Sequence, residues 1–350
     1  NPGTPYIGLG RTTQTHTATW PNFGYPYRTS GSIHVNDGIT LNLVAGTEIV
    51  FDDFVQNQND PRIMVYGALN TLGTADQPVT LRGLNVAIPS TWKGLRIQQP
   101  EAVCNLNYTN ILNAGLDENH SPSEDFCAFY CYNGTVNLSG CRFAISNHNL
   151  VKLDGPTSNV SFTNCQLDSA ENGILHYSGT LNLVNNTISA LTGTGVHHSS
   201  GALNFGSNPS QWNRIYGNTL NLFNNTPNSE NALYVYWGSL DPDIIDAAIH
   251  DNEEGSGIVN FEPWYDSTCQ NLYFYTIGVP QNVSLTRLSS TQLLMTWNPV
   301  DNATSYTVYV SDSPDSSEWD ILEQNLSDCE LQINLNAGEA KRFYYVSAKR

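Results

Sequence analysis

The chain has 350 residues, with 32 Asp and Glu against 14 Lys and Arg and a formal net charge of −18. Cations this sparse exclude a nucleic-acid partner, because phosphate binding needs a basic face. No apolar run is long enough to cross a bilayer, so the chain is not expected to span a membrane, and an acidic, polar surface suits life outside the cytosol.

Residues 1–30 carry no repeated phrase and read as an extended arm or cap. Thr13, Thr15, Thr17 and Thr19 alternate along it with the period of a strand. The stretch resembles the polar, aromatic and Gly-rich leaders of secreted bacterial surface proteins. No signal peptide is visible, so Asn1 is the expected mature start of a secreted chain. Two uses remain open for the arm: capping the first coil of the repeat region, or serving as a donor strand for a neighbouring molecule.

From residue 31 to 278 a two-residue-period phrase returns: Val136-Asn137-Leu138, Val160-Ser161-Phe162, Leu181-Asn182-Leu183, Leu203-Asn204-Phe205 and Leu220-Asn221-Leu222. Leu106-Asn107-Tyr108-Thr109-Asn110-Ile111 fits the same phrase, and Ile39-Thr40-Leu41-Asn42-Leu43 fits it more loosely. The starts lie roughly two dozen residues apart or less, a solenoid period. One short strand per copy cannot bury its inner face alone, so the copies must stack as a parallel β-helix. About 245 residues at roughly 22 per coil predict on the order of eleven coils in a rod near 50 Å long.

The segment 39–82, with Val44-Ala45-Gly46-Thr47-Glu48-Ile49, resembles the opening coils of secreted right-handed parallel β-helix proteins, and Trp92-Lys93-Gly94-Leu95-Arg96-Ile97 resembles the coil after them. That resemblance implies a right-handed β-helix and says little about function. Polysaccharide hydrolases of this kind need clustered acids on one face, and their Asn-Thr-Asp, Gly-His-Gly and Arg-x-Lys motifs are absent. Lyases of the fold need Arg or Lys beside calcium-binding acids, and the coils here carry few bases. The adjacent Asp52-Asp53 pair is the nearest acidic feature in an early coil. No catalytic residue is named, and no enzymatic activity is expected.

Seven cysteines leave at least one unpaired within the chain. Cys141 and Cys165 fall at the same place in successive repeats, so they stack one strand spacing apart, about 4.8 Å, as buried thiols or as a disulfide. Cys127 and Cys131 lack the further ligands of a zinc site. His197-His198 sits at a turn, where a metal is not needed to explain it. Asp251, Glu253 and Glu254, like Asp312, Asp315, Glu318 and Asp320, offer oxygen ligands for calcium, but solvated loop charge is the plainer reading and no cofactor is expected.

Late in the repeat region Tyr234, Tyr236, Trp237, Trp264 and Tyr265 cluster with Tyr273, Phe274 and Tyr275. Exposed rings would stack on sugars, whereas buried ones would close the last coil or bind the two domains together. Sequons at Asn107, Asn133, Asn137, Asn159, Asn185, Asn224, Asn282, Asn302 and Asn325 are read mostly as structural asparagines that hydrogen-bond along the stack.

From residue 279 to 350 the alternation belongs to an antiparallel sandwich: Gln281-Asn282-Val283-Ser284-Leu285, Leu293-Leu294-Met295-Thr296-Trp297, Ser305-Tyr306-Thr307-Val308-Tyr309-Val310 and Phe343-Tyr344-Tyr345-Val346-Ser347-Ala348. The segment resembles a fibronectin type III domain, with Trp297 as its buried tryptophan and Tyr306 on the next strand. That family has seven strands, and this segment supplies six. The missing strand suggests a donor from another copy and a head-to-tail filament; six strands standing alone is the alternative.

The fold class expected is therefore all-β, a right-handed parallel β-helix followed by a small antiparallel β-sandwich. The function expected is a secreted or cell-surface structural or adhesive protein whose partner is itself. The second reading is a carbohydrate-binding or polysaccharide-degrading protein.

Overall fold

A computed structural model describes residues 5–54, 61–116, 126–251, 255–274, 277–300, 303–316, 318–335 and 342–349. The chain divides into two units, Asn1–Phe274 and Tyr275–Arg350, four residues short of the boundary read from the sequence. Among the described residues the one α-helix is Pro242–Asp246, and no helix is long and apolar enough to cross a membrane.

The first unit is a parallel β-helix. Its strands fall in turn onto three faces, forming sheets of ten, ten and eight strands. Each strand pairs with the one a coil before and a coil after it, as Val136 does with Cys104 and Val160. Among the described residues ten coils result, where the repeat length predicts on the order of eleven. The last two third-face strands, Glu230–Asn231 and Val259–Asn260, leave the main sheet and pair with each other.

The N-terminal expectation is corrected. Ile7–Leu9, Thr12–Gln14 and Ala18–Trp20 form the first coil, pairing in parallel with Tyr27–Thr29, Ile33–Val35 and Leu41–Leu43. Thr17 Oγ1 accepts from the Thr40 amide at 3.2 Å, and Thr19 Oγ1 accepts from Asn42 Nδ2 at 3.2 Å. The Thr-rich stretch thus spends its hydrogen bonds on its own solenoid. The absence of the repeated phrase reflects a shorter first coil, not a free arm.

Two copies of the phrase also move. In the fourth coil the buried–outward–buried triplet is Cys104-Asn105-Leu106, because cysteine occupies the apolar place. Leu220-Asn221-Leu222 lies on the second face, where Leu222 pairs with Val196, so Asn221 is buried and donates to the Trp237 carbonyl at 3.0 Å.

The interior is filled by rows of like residues. Phe51 stacks flat on Trp92 with ring centres 4.2 Å apart, Phe129 meets Phe143 edge to face, and Phe162 lies tilted against Phe143. Outside, amides run in a line down the third face. Asn70 donates to Asn42, Asn105 to Asn70 and Asn137 to Asn105, each at 3.0 Å; Ser161 interrupts, and Asn204 donates to Asn182 at 2.9 Å. Parallel in-register stacking places identical amides one strand spacing apart, where each satisfies the next.

Among its described residues the second unit contains two three-stranded antiparallel sheets. Gln292–Thr296 lies between Ser284–Arg287 and Glu330–Asn334, and Ser305–Ser311 lies between Asp320–Leu326 and Phe343–Lys349. Met295, Trp297, Tyr306, Val308, Ile333 and Val346 form its core. The Tyr306 hydroxyl accepts from the Val300 amide at 2.9 Å. Tyr306→Phe is expected to cost about 1 kcal/mol, read as a lower denaturant midpoint for this unit in the full chain.

Candidate functional site

The expected aromatic platform is mostly core. Trp237 and Trp264 are each 2% exposed, and Tyr265 is buried with its hydroxyl donating to the Pro209 carbonyl at 2.7 Å. Tyr234 packs against Tyr265. Tyr236 is half-buried, 5.4 Å from Tyr216 in the preceding coil, with the Arg214 guanidinium 5.7 and 5.8 Å from the two ring centres. These tryptophans close the last coils and cannot stack on a sugar.

The stacked thiols lie on an internal polar row. Cys141 and Cys165 immediately precede Arg142 and Gln166, which are register partners, and both are buried. The row continues through Asn186 and Asn213. Asn186 Oδ1 accepts from the Cys165 amide at 2.9 Å, while its Nδ2 donates to the Phe162 carbonyl at 3.0 Å and to Asn213 Oδ1 at 3.1 Å. The hydrogen bond with Cys141, and burial after it, push the Cys165 thiol far up, so this position is a poor nucleophile.

The first face holds the acids and spends them on arginines. Arg28 meets Asp52 at 2.6 Å, Arg82 meets Glu48 at 2.5 Å, and Arg142 grips Asp168 through two bonds of 3.0 and 3.1 Å. Burial raises the Asp168 carboxyl, but the bonds from Arg142, Ser169 and Gln166 outweigh it and hold the group below its ordinary value. Asp52 of the Asp52-Asp53 pair is therefore an ion-pair partner. Asp251 accepts from the Val259 amide at 2.6 Å. Glu253 and Glu254, like Tyr275 and Asn302, lie outside the described residues. Among the described residues no cluster of three or more His, Cys, Asp or Glu is arranged to hold a metal.

The second face brings together residues that the sequence reading left apart. In each of its strands the residue between two inward positions points away from the core, and register lines these up: Tyr130, Lys152, Leu175, His197, Phe223 and His250. Tyr132 and Tyr177, two residues along, flank the row. Lys152 Nζ sits 5.6 Å from the Tyr130 ring and 5.5 Å from Tyr177, and pairs with Asp154 at 3.4 Å. Tyr177 meets His197 at 5.8 Å, His197 meets Phe223 at 4.5 Å, and Phe223 meets His250 at 4.3 Å.

A lane of half-buried rings, Tyr177, His197, Phe223 and His250, thus runs along the axis over four consecutive coils, and beyond Lys152 lie the buried Tyr130 and Tyr132, which is 46% exposed. Burial first, and His250 second, hold His197 below the ordinary histidine value, so its ring is uncharged at neutral pH. The signal in the sequence was the position just inside each second-face strand end. It was hidden because the coils differ in length and the row mixes residue types. His197 and His198 separate here, one outward and one inward, so the pair is not a chelate.

No protein-family model matches the sequence, and no curated protein matches it. Among solved structures the chain is similar to one described as the crystal structure of Dettilon tailspike protein (gp208), at 12% identity and a TM-score of 0.34, over 93% of this chain and 88% of that one.

Proposed function

We propose that this protein is an extracellular or cell-surface shaft with a structural and adhesive role, that it binds uncharged carbohydrate along its second face without cleaving it, and that residues 275–350 form a fibronectin type III-like module. The observation that carries this is the run Tyr177, His197, Phe223 and His250. Apolar ring faces suit the C–H faces of sugars, and the polar edges of Tyr177, His197 and His250 suit their hydroxyls. A net charge of −18 repels polyanions, which favours neutral chains. The acids of the first face are already bound to arginines, which supports binding over hydrolysis.

Tyr177→Ala and Phe223→Ala are each expected to weaken binding to a recognised neutral oligosaccharide about tenfold, close to 1.4 kcal/mol, in calorimetric titration. Unchanged affinity in both folded variants sinks the lane as the site. Release of reducing ends or unsaturated products from a polysaccharide panel would favour the degrading alternative. Strand donation by Thr13, Thr15, Thr17 and Thr19 is withdrawn, because that segment is paired within its own first coil. Self-association, if light scattering finds it, needs another contact.

A further inference from the structure

Beneath the outward lane, the same second-face strands carry a second line of polar groups that the binding reading does not use. His176 and His198 are register partners in adjacent coils, both pointing inward and 0% and 1% exposed. Their rings stack 4.9 Å apart at 21°, and the two Nδ1 atoms are 3.0 Å apart. Only one proton fits between two nitrogens at that distance. His198 Nε2 lies 3.3 Å from Glu230 Oε1.

With both rings neutral and the carboxylate ionised, one arrangement satisfies every contact. His176 Nδ1–H donates to His198 Nδ1, and His198 Nε2–H donates to Glu230. Reversing the first bond would turn a lone pair of His198 toward the carboxylate. The satisfied arrangement leaves His176 Nε2 buried and unprotonated, beside the Ser178 and Gly179 backbone, which partly offsets the cost of burial, and near Gly201, where a side chain would crowd it. A further proton must enter this buried line at His176 Nε2, or between the two Nδ1 atoms, where it would set two N–H groups against each other, or on Glu230, whose carboxyl burial holds above its ordinary value.

The location gives that proton a consequence. Glu230 belongs to the Glu230–Asn231 and Val259–Asn260 pair, the strands that have left the third-face sheet. The surrounding ties are the Asn224 amide on the Gly257 carbonyl at 2.8 Å and Asp251 on the Val259 amide. The register neighbours of the two histidines on either side, Leu153 and Asn224, are uncharged. The titratable groups around the pair are Glu230, the outward His197 and, beyond Glu230, Asp251. Lys152 points to the opposite side of its strand.

We propose that the His176–His198–Glu230 line is an acid-sensitive latch that holds residues 213–265 onto the rest of the solenoid at neutral pH and loosens them as the medium acidifies. Burial foremost, with neighbouring histidines adding to it at His198, lowers both imidazoles from 6.5 to about 4. The folded value lies below the unfolded one, so the unfolded chain binds more protons between them. The stabilisation is complete above pH 6.5 and is lost as pH falls toward 4.

Hydrogen exchange of the full chain at pH 7 and pH 5, corrected for intrinsic rates, tests this. Peptides within 213–265 are expected to exchange at least tenfold faster at pH 5, while those within 33–112 stay unchanged. The double variant His176→Gln with His198→Gln is expected to lose the pH dependence. Uniform loosening along the solenoid, or an unchanged pH response in the double variant, overturns the latch. If the double variant does not fold, the wild-type pattern decides: opening confined to 213–265 supports it, and any other distribution rejects it.

Discussion

Gly155→Ala is expected to prevent the middle coils from closing. Gly155 opens the turn that follows Asn149–Leu153, and an added Cβ would fall 1.0 Å from the Tyr132 carbonyl oxygen and 2.2 Å from its carbon. Those are backbone atoms, with no side chain to swing away. Both chains are held where they are: the Tyr132 amide donates to Ile97 at 2.9 Å, the Asp154 amide to Cys131 at 3.1 Å, and the Gly155 carbonyl accepts from the Ser158 amide at 3.0 Å. One coil must lift off the next, and the loss should exceed about 4 kcal/mol. The check is soluble yield and thermal melting beside Gly10→Ala, where an added Cβ meets nothing within 4 Å and a change within about 0.5 kcal/mol is expected. A Gly155→Ala protein that melts like wild type would refute the backbone contact itself.

Asn186→Leu should be the second most damaging change. The side chain is fully buried, and its amide answers the Cys165 amide, the Phe162 carbonyl and the Asn213 side chain at once. Leucine fills similar space but orphans the buried Cys165 amide and takes the amide donor from the Phe162 carbonyl, while Asn213 keeps the Asn186 backbone amide at 3.0 Å. At about 1–3 kcal/mol for each buried group left unsatisfied, the expected loss is about 3–5 kcal/mol. Asn182→Ala removes an amide of the same kind from the outer row, where water replaces the lost partner, and should cost only a few tenths of a kcal/mol. Denaturant titration of the two variants separates these cases. Equal losses would show that inside and outside amides do the same job.

These two asparagines also show what the sequence could reveal. Asn182 stands between Leu181 and Leu183, so its alternation announced both the strand and its outward direction. Asn186 follows Asn185 in a turn, where alternation says nothing, and its burial depends on which residues of other coils share its row. The same limit explains the aromatic residues. Trp237 and Trp264 drew attention by their type and proximity in sequence, yet the solenoid turns them inward. Tyr177, Phe223 and His250 lie far apart in the chain and meet only through register. Coil lengths differ because loops are inserted at the corners, so no fixed period brings the lane into view. The first coil was missed for a similar reason. Thr12–Gln14 and Ala18–Trp20 lack the apolar–Asn–apolar phrase, but their backbone pairs as the later coils do.

The amide row on the third face makes the length of this shaft adjustable in whole steps. Register equates Asn159 with Thr180, Val160 with Leu181 and Ser161 with Asn182. Excising residues 159–179 would therefore join Ser158 to Thr180 and set Val136 over Leu181, Phe143 over Ile188 and Val151 over Val196. Asn137 would then lie directly above Asn182, and the gap that Ser161 leaves would disappear. A globular core cannot lose such a segment, because its contacts radiate in every direction. Here each coil recognises only its neighbours, so deletion of a single coil shortens the solenoid with its inward rows and its amide row still in register, while Asp168, His176 and Tyr177 leave with the excised residues.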